Sequence, residues 1–395
     1  MTTVAPEEIA RRLEKFREAL AREQIDLAIV RTPVNLLYLS GSIQDGHLVI
    51  SPEREPLYLV WRVPERARSE SPIEVWSIKS FKELPHLIAL ADLPSPRRLG
   101  LEFRLPHSQI LLYQRLFPQA EICDISHSLR LLRACKSPWE LERLRQAGKQ
   151  LAEVVAEVPR ILREGMTELE LAAELEARLR RRGHPGYLRM HGWNQEIHFG
   201  HILFGPSGTV SAYVNMPSGG YGPNYALPHG AGWQRLRRQE PLSIDLAGCV
   251  EGYMVDQTRL FALEGLPSKA LAAYDLVEEI MHMVEEHLRP GESCEAIYHL
   301  ALKRIEASPW AEGFMGLGSA KVSFLGHGIG LEIDEYPFLA KSSPFVLEAG
   351  MVVAVEPKIH LPDIGLVGLE DTFVVTEAGP ERLTLSERGP KIIPI

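Results

Sequence analysis

The chain has 395 residues, 45% of them hydrophobic, with 43 Lys and Arg against 52 Asp and Glu and a formal net charge of −9. That length suggests two domains, each able to bury a core. The acidic balance, with short arginine clusters such as 180–182 interleaved with acids, excludes a nucleic-acid footprint, and no apolar run approaches a membrane span.

The opening MTTVAPEEIARRLEKF reads as a charged helix rather than a secretion signal, with Ile9, Leu13, Phe16 and Leu20 on one face. IDLAIV (25–30) predicts a buried strand, and RTPVNLLYLSG a turn followed by another strand. HLVIS, PLYLVW, IEVWSI and RRLGLEF predict further strands, LPHSQILLYQRLF a helix and AEICDIS a strand. Alternation of this kind to about Ser128 predicts a compact α/β domain. The four cysteines, Cys123, Cys135, Cys249 and Cys294, are scattered with no CxxC pair, which fits a reducing cytoplasm without structural zinc or a disulfide framework.

Ser137-Pro138-Trp139-Glu140 is a capping box that opens a long helix towards Leu162, and Thr167 to Glu170 is a second box whose helix stops at Gly183. Strands are expected over 187–214 and 242–263, helices over 268–288 and 293–307, and strands again in the last third, an α+β layout. His191, His198 and His201 in HGWNQEIHFGH fall on the first of these expected strands, as a pocket rim at most. GYGPNYALPHGAGW (220–233) is too rich in Gly and Pro to be regular, and it makes a natural pocket wall carrying His229.

Residues 242–261, LSIDLAGCVEGYMVDQTRLF, read as a hairpin with one aspartate in each apolar run, Asp245 and Asp256. If the pairing centre lies between Val250 and Glu251, the two face each other. If Glu251-Gly252 is the turn, Asp256 faces Ala247. Either register puts both carboxylates on one side of the sheet, where they repel unless a cation lies between them. His327 in LGHGIGLEIDEYP, and Glu356 and Glu370 at the ends of apolar runs in GMVVAVEPKIHLPDIGLVGLEDTFVV, complete a set of four acids and one imidazole. Such a set suits two divalent ions, with Mn²⁺, Co²⁺, Fe²⁺ and Zn²⁺ all compatible. Arg259 reads as an ion-pair partner for nearby acids.

From about residue 137 to 380 these motifs resemble the creatinase-fold, or pita-bread, metallopeptidases of the aminopeptidase P and prolidase type. IDLAIVRTPVNLLYLSG and LLRACKSPWELERLRQA resemble the smaller N-terminal domain and linker helix of that group. The resemblance implies a creatinase/prolidase-type α/β domain over 1–132 and an α+β pita-bread catalytic domain over 133–395. It also implies a cytoplasmic, homodimeric hydrolase acting on a small peptide or small molecule, most simply an Xaa-Pro aminopeptidase or prolidase. Asp256 and Glu370 would bridge two ions, Asp245 would bind one, and His327 with Glu356 the other. A water between the ions would become hydroxide-like, Glu356 would shuttle its proton, and His229 would hydrogen-bond substrate. Two positions depart from the pattern. Asp334 stands where these peptidases carry a second histidine, and Gly368 where prolidase-like enzymes have an arginine. Asp334 thus becomes a candidate, with His198, for substrate contact. The departures leave open a hydrolase or lyase of the same fold acting on a non-peptide metabolite, or a non-catalytic binding protein.

Overall fold

A computed structural model describes residues 3–395, and the chain divides into two units, Met1–Arg133 and Ala134–Ile395. In the first unit, β1 (Leu27–Val30), β2 (Gly46–Ile50), β3 (Leu57–Val60), β4 (Glu74–Ser77), β5 (Arg98–Leu101) and β6 (Glu121–Asp124) form one sheet ordered β4-β3-β2-β1-β5-β6. β1, β2 and β3 are buried along their whole length, which is why they read as continuous apolar runs. Helix Pro6–Arg22 buries Ile9, Leu13, Phe16 and Leu20, as the periodicity predicts.

The strand expected in RTPVNLLYLSG is instead the helix Pro33–Ser40. Pro33 opens it, and Gly41, at φ 77°, closes it in the left-handed region. Inside, Asn35 Nδ2 donates to Glu102 at 2.6 Å. A short run buried on most sides gives no period that separates helix from strand.

In the second unit, helices Pro138–Val155 and Glu168–Arg181 both carry their complete capping boxes. The first ends at Val155, short of Leu162, and a separate turn Val158–Ile161 follows. The strands are β7 (Gly200–Phe204), β8 (Leu242–Val250), β9 (Tyr253–Leu263), β10 (Phe324–Gly328), β11 (Glu335–Ala340), β12 (Val352–Val355), β13 (Lys358–Leu361), β14 (Gly365–Gly368), β15 (Asp371–Thr376), β16 (Gly379–Arg382) and β17 (Lys391–Ile393). They form sheets ordered β17-β9-β8-β7 and β11-β10-β12-β15-β16, and the pair β13-β14. Helices Ser268–Glu286 and Cys294–Glu306 share one apolar core with β12, β13 and β15 through Val277, Ile280, Val353, Ile359 and Phe373.

The strand expected over 187–214 shrinks to β7. Residues 186–199 are irregular, interrupted by Gly186 at φ 88° and Asn194 at φ 57°, so His191 and His198 lie on a loop. Glu168 ties this region down. Its carboxylate accepts the Phe204 and Gly232 N–H groups, each at 2.7 Å, and the Ser207 hydroxyl. None of the four cysteines is in a disulfide.

His184 is buried, stacked on Phe199 with ring centroids 4.6 Å apart. Burial, with the nearby Arg180, pushes its pKa down to about 4. The unfolded chain binds a proton here below about pH 6.5, whereas the folded chain does so only near 4. This contribution to stability is therefore complete above the unfolded value and is lost as pH falls through that window. The variant His184→Gln should flatten urea-measured stability between pH 6 and 4.5 by about 1.4 kcal/mol per pH unit. An unchanged slope would show that His184 does not titrate this way.

Candidate metal centre

The β8–β9 hairpin turns at Glu251 and Gly252, at φ 51° and 90°, the two successive positive values of a two-residue hairpin turn. The register is the second of the two considered: Ala247 faces Asp256 and Asp245 faces Thr258. Both carboxylates project to the same side. His327 lies in β10, beside Ala354 of β12. Glu356 follows the last residue of β12, and Glu370 precedes the first residue of β15, whose Asp371 pairs with Val355. Strand ends thus deliver both glutamates.

All five side chains line one cavity of about 430 Å³, a size typical of small-ligand sites. None is more than 7% exposed. One ligand atom each from Asp256, His327 and Glu370 lie within 4.8 Å of one another, and His327 Nε2 is 3.6 Å from Glu356 Oε1. Thr258 Oγ1 donates to Glu370 Oε2 at 2.9 Å, and Thr372 bonds both the N–H and the carbonyl of Asp256, each at 2.9 Å. Arg259 steadies the same corner, pairing with Asp371 at 2.5 Å and donating to the Glu370 carbonyl at 2.7 Å. It is the ion-pair partner that the sequence suggested.

The donor set fits a divalent cation. Glu370 Oε1 is buried and accepts no hydrogen bond. Burial and the neighbouring Asp245 push the Asp256 carboxyl up to about 7, and burial also raises Glu370. Anions crowded this way are stabilised in their charged form by a cation among them.

One cation is already present. Lys358, in β13, is fully buried, and its Nζ lies 2.6 Å from Glu356 Oε2, 2.9 Å from Asp245 Oδ2 and 3.0 Å from Glu370 Oε2. Burial works against its charge, but Asp245, Glu356 and Glu370 outweigh it and hold the ammonium well above its ordinary pKa. Sequence reasoning passed over Lys358. The signal was there: it stands two residues after Glu356 in an apolar run, the spacing that shares a face in extended chain.

The remaining candidates are outside the ligand cluster. Asp334 lines the cavity, but its carboxylate accepts the backbone N–H groups of His191 and, at 2.7 Å, Gly192, so it holds the 190–195 loop at the rim. His229 is not among the residues lining the cavity. It is buried with Nδ1 3.1 Å from His201 Nε2, and His201 Nδ1 is 2.9 Å from Ser218 Oγ, which in turn is 3.4 Å from Asp245 Oδ2. His198 faces a separate small recess, together with His229. The hydrogen-bonded string from His229 to Asp245 went unseen because its members lie far apart in the chain.

The sequence matches the model of metallopeptidase family M24 over residues 142–377 and that of the creatinase/prolidase N-terminal domain over residues 12–135. It is 29% identical to an Xaa-Pro dipeptidase of Pyrococcus furiosus, over 95% of this chain and 98% of the relative. It is 28% identical to an Xaa-Pro dipeptidase of Pyrococcus horikoshii, over 95% and 97%. The fold superposes on a crystal structure of the prolidase from Pyrococcus horikoshii with a TM-score of 0.80 at 26% identity, covering 96% of this chain and 99% of that one.

Proposed function

The chain belongs to metallopeptidase family M24, and from that premise we propose that it is a metal-dependent hydrolase cleaving small peptides at an Xaa-Pro bond. The observation that carries this reading is the convergence of Asp256, His327, Glu356 and Glu370 in one buried cavity. We assign residues 1–132 to the N-terminal domain and 133–395 to the catalytic domain.

Asp256, His327 and Glu370 would hold a divalent ion, with Glu356 Oε1 beside it, and Mn²⁺ or Co²⁺ would match a mainly oxygen set. When bound, such an ion polarises the scissile carbonyl and lowers the pKa of a water in the cavity. Glu356 accepts a proton at Oε1 and returns it to the leaving nitrogen, while Lys358 holds Oε2 and fixes the carboxylate plane. Asp334 keeps the 190–195 loop over the cavity, and Met190, Phe324, Ile333 and Phe338 supply apolar walls that limit water. His229 acts by fixing His201, whose Ser218 partner reaches Asp245. Four cysteines without a disulfide among them support a cytoplasmic setting, and the resemblance supports a homodimer.

A second reading has a specific basis. Gly368 offers no side chain to anchor a substrate carboxylate, and the Asp334 carboxylate cannot donate to a developing oxyanion. Both features favour a small non-peptide amide. A panel of Xaa-Pro dipeptides, longer Xaa-Pro peptides, guanidino compounds, betaines and cyclic amides, assayed with Mn²⁺ and Co²⁺, separates the two. The proposal expects turnover confined to Xaa-Pro compounds. Turnover of only the non-peptide members would replace it with the second reading, and none at all would favour a binding protein.

A further inference from the structure

We propose that Lys358 permanently occupies the place of one of the two ions expected from the ligand set, leaving a centre for a single divalent ion held by Asp256, His327 and Glu370. The inference rests on reading this cavity as a metal centre, but not on which substrate is cleaved.

The cavity has room for only one cation among these oxygens. Lys358 Nζ lies 2.6–3.0 Å from oxygens of Glu356, Asp245 and Glu370. A divalent ion bound to those same oxygens would need to sit about 2.0–2.2 Å from them, inside the contact distance of the ammonium. The two cannot share the place. Nor can the ammonium readily leave. Lys358 is fully buried, and moving its charge off these three partners would strand it in the protein interior.

The backbone around Lys358 is arranged to receive the side chain. Lys358 pairs with Gly368 across β13 and β14. A Cβ built on Gly368 would lie 2.6 Å from Lys358 Cγ and 3.4 Å from Lys358 Cβ. Any side chain at 368 would therefore collide with the lysine stem. The lysine and the glycine opposite it form one arrangement, in which position 358 carries the cation and position 368 makes room.

The oxygens divide accordingly. Glu356 Oε2 and Glu370 Oε2 face the ammonium, whereas Glu356 Oε1 lies beside His327, and Glu370 Oε1 is buried without a hydrogen bond. Asp245 Oδ2 is engaged by Lys358 and by Ser218. Asp245 thus becomes the counter-ion of the lysine, and the string through Ser218 and His201 to His229 supports that counter-ion. Asp256, His327 and Glu370 remain to gather one ion. One divalent ion and one ammonium nearly balance the four carboxylates.

The test is the number of ions bound per chain, measured on the full-length protein by equilibrium dialysis against Mn²⁺ with elemental analysis, independently of any assay of turnover. The wild type should bind one. Lys358→Ala should bind two, because it frees the oxygens of Asp245, Glu356 and Glu370. Two ions in the wild type would overturn the proposal while leaving the hydrolase reading intact, and none would overturn both. One ion in a folded Lys358→Ala variant would show that the lysine is not what excludes the second. If that variant does not fold, the wild-type count still decides. One ion with no hydrolysis of any peptide would leave this proposal standing and remove the peptidase reading.

Discussion

Glu356→Ala should lower kcat/KM towards the best substrate by at least about a thousandfold with little change in stability. Glu356 Oε1 stands beside His327 where a cation would bind, placed to take a proton there, and Lys358 fixes its partner oxygen Oε2. Folding should survive because Lys358 keeps Asp245 and Glu370 as partners, so its charge is not left alone in the interior. Steady-state kinetics and calorimetry on the same sample separate the two effects. The conservative variant Glu356→Gln keeps the shape and loses the proton-accepting charge, so it should remain as slow as the alanine variant. Activity within tenfold of wild type in either variant would remove Glu356 from the proton-transfer role.

Asp371→Ala should have the largest effect on folding, a destabilisation of about 3–5 kcal/mol. Asp371 is fully buried and receives Arg259 at 2.5 Å, Arg388 at 2.7 Å and the Thr384 hydroxyl at 2.6 Å. Removing it leaves Arg259 charged in the interior with only carbonyl partners, those of Thr258, Glu370, Ser386 and Glu387. For a unit of this size the loss corresponds to a fall in Tm of roughly 6 °C or more. Calorimetry measures it directly, and a shift below about 2 °C would mean that the network relaxes without strain. Arg259 also fixes the Glu370 carbonyl, so metal affinity should fall with stability, linking the scaffold to the site.

Much of this was legible in the sequence because the signals were local and chemical. Capping boxes at Ser137 and Thr167 marked two helix starts, since each is completed by side chains three residues away. The paired aspartates were legible because a carboxylate is out of place in an apolar strand, and the period of two kept them on one side whichever register held. The choice of register was not legible, because it depends on the conformation adopted at Glu251 and Gly252. Helix Pro33–Ser40 was misread as a strand because burial on most sides erases the helical period. His191 and His198 were placed on a strand because an apolar, aromatic run imitates one until glycine conformation is known. Lys358 was visible as a charge in an apolar run, but its partners are 2, 12 and 113 residues away. Only the assembled sheets bring those carboxylates to it. His229 and His201 were missed as a pair for the same reason.

The proposed chemistry requires a cation among Asp256, His327 and Glu370, and anomalous diffraction from crystals soaked in Mn²⁺ measures its position directly. The predicted result is one anomalous peak about 2.0–2.2 Å from ligand atoms of those three residues, with Lys358 still bonded to Asp245. No peak at those ligands under saturating Mn²⁺, or a peak only elsewhere, would contradict it.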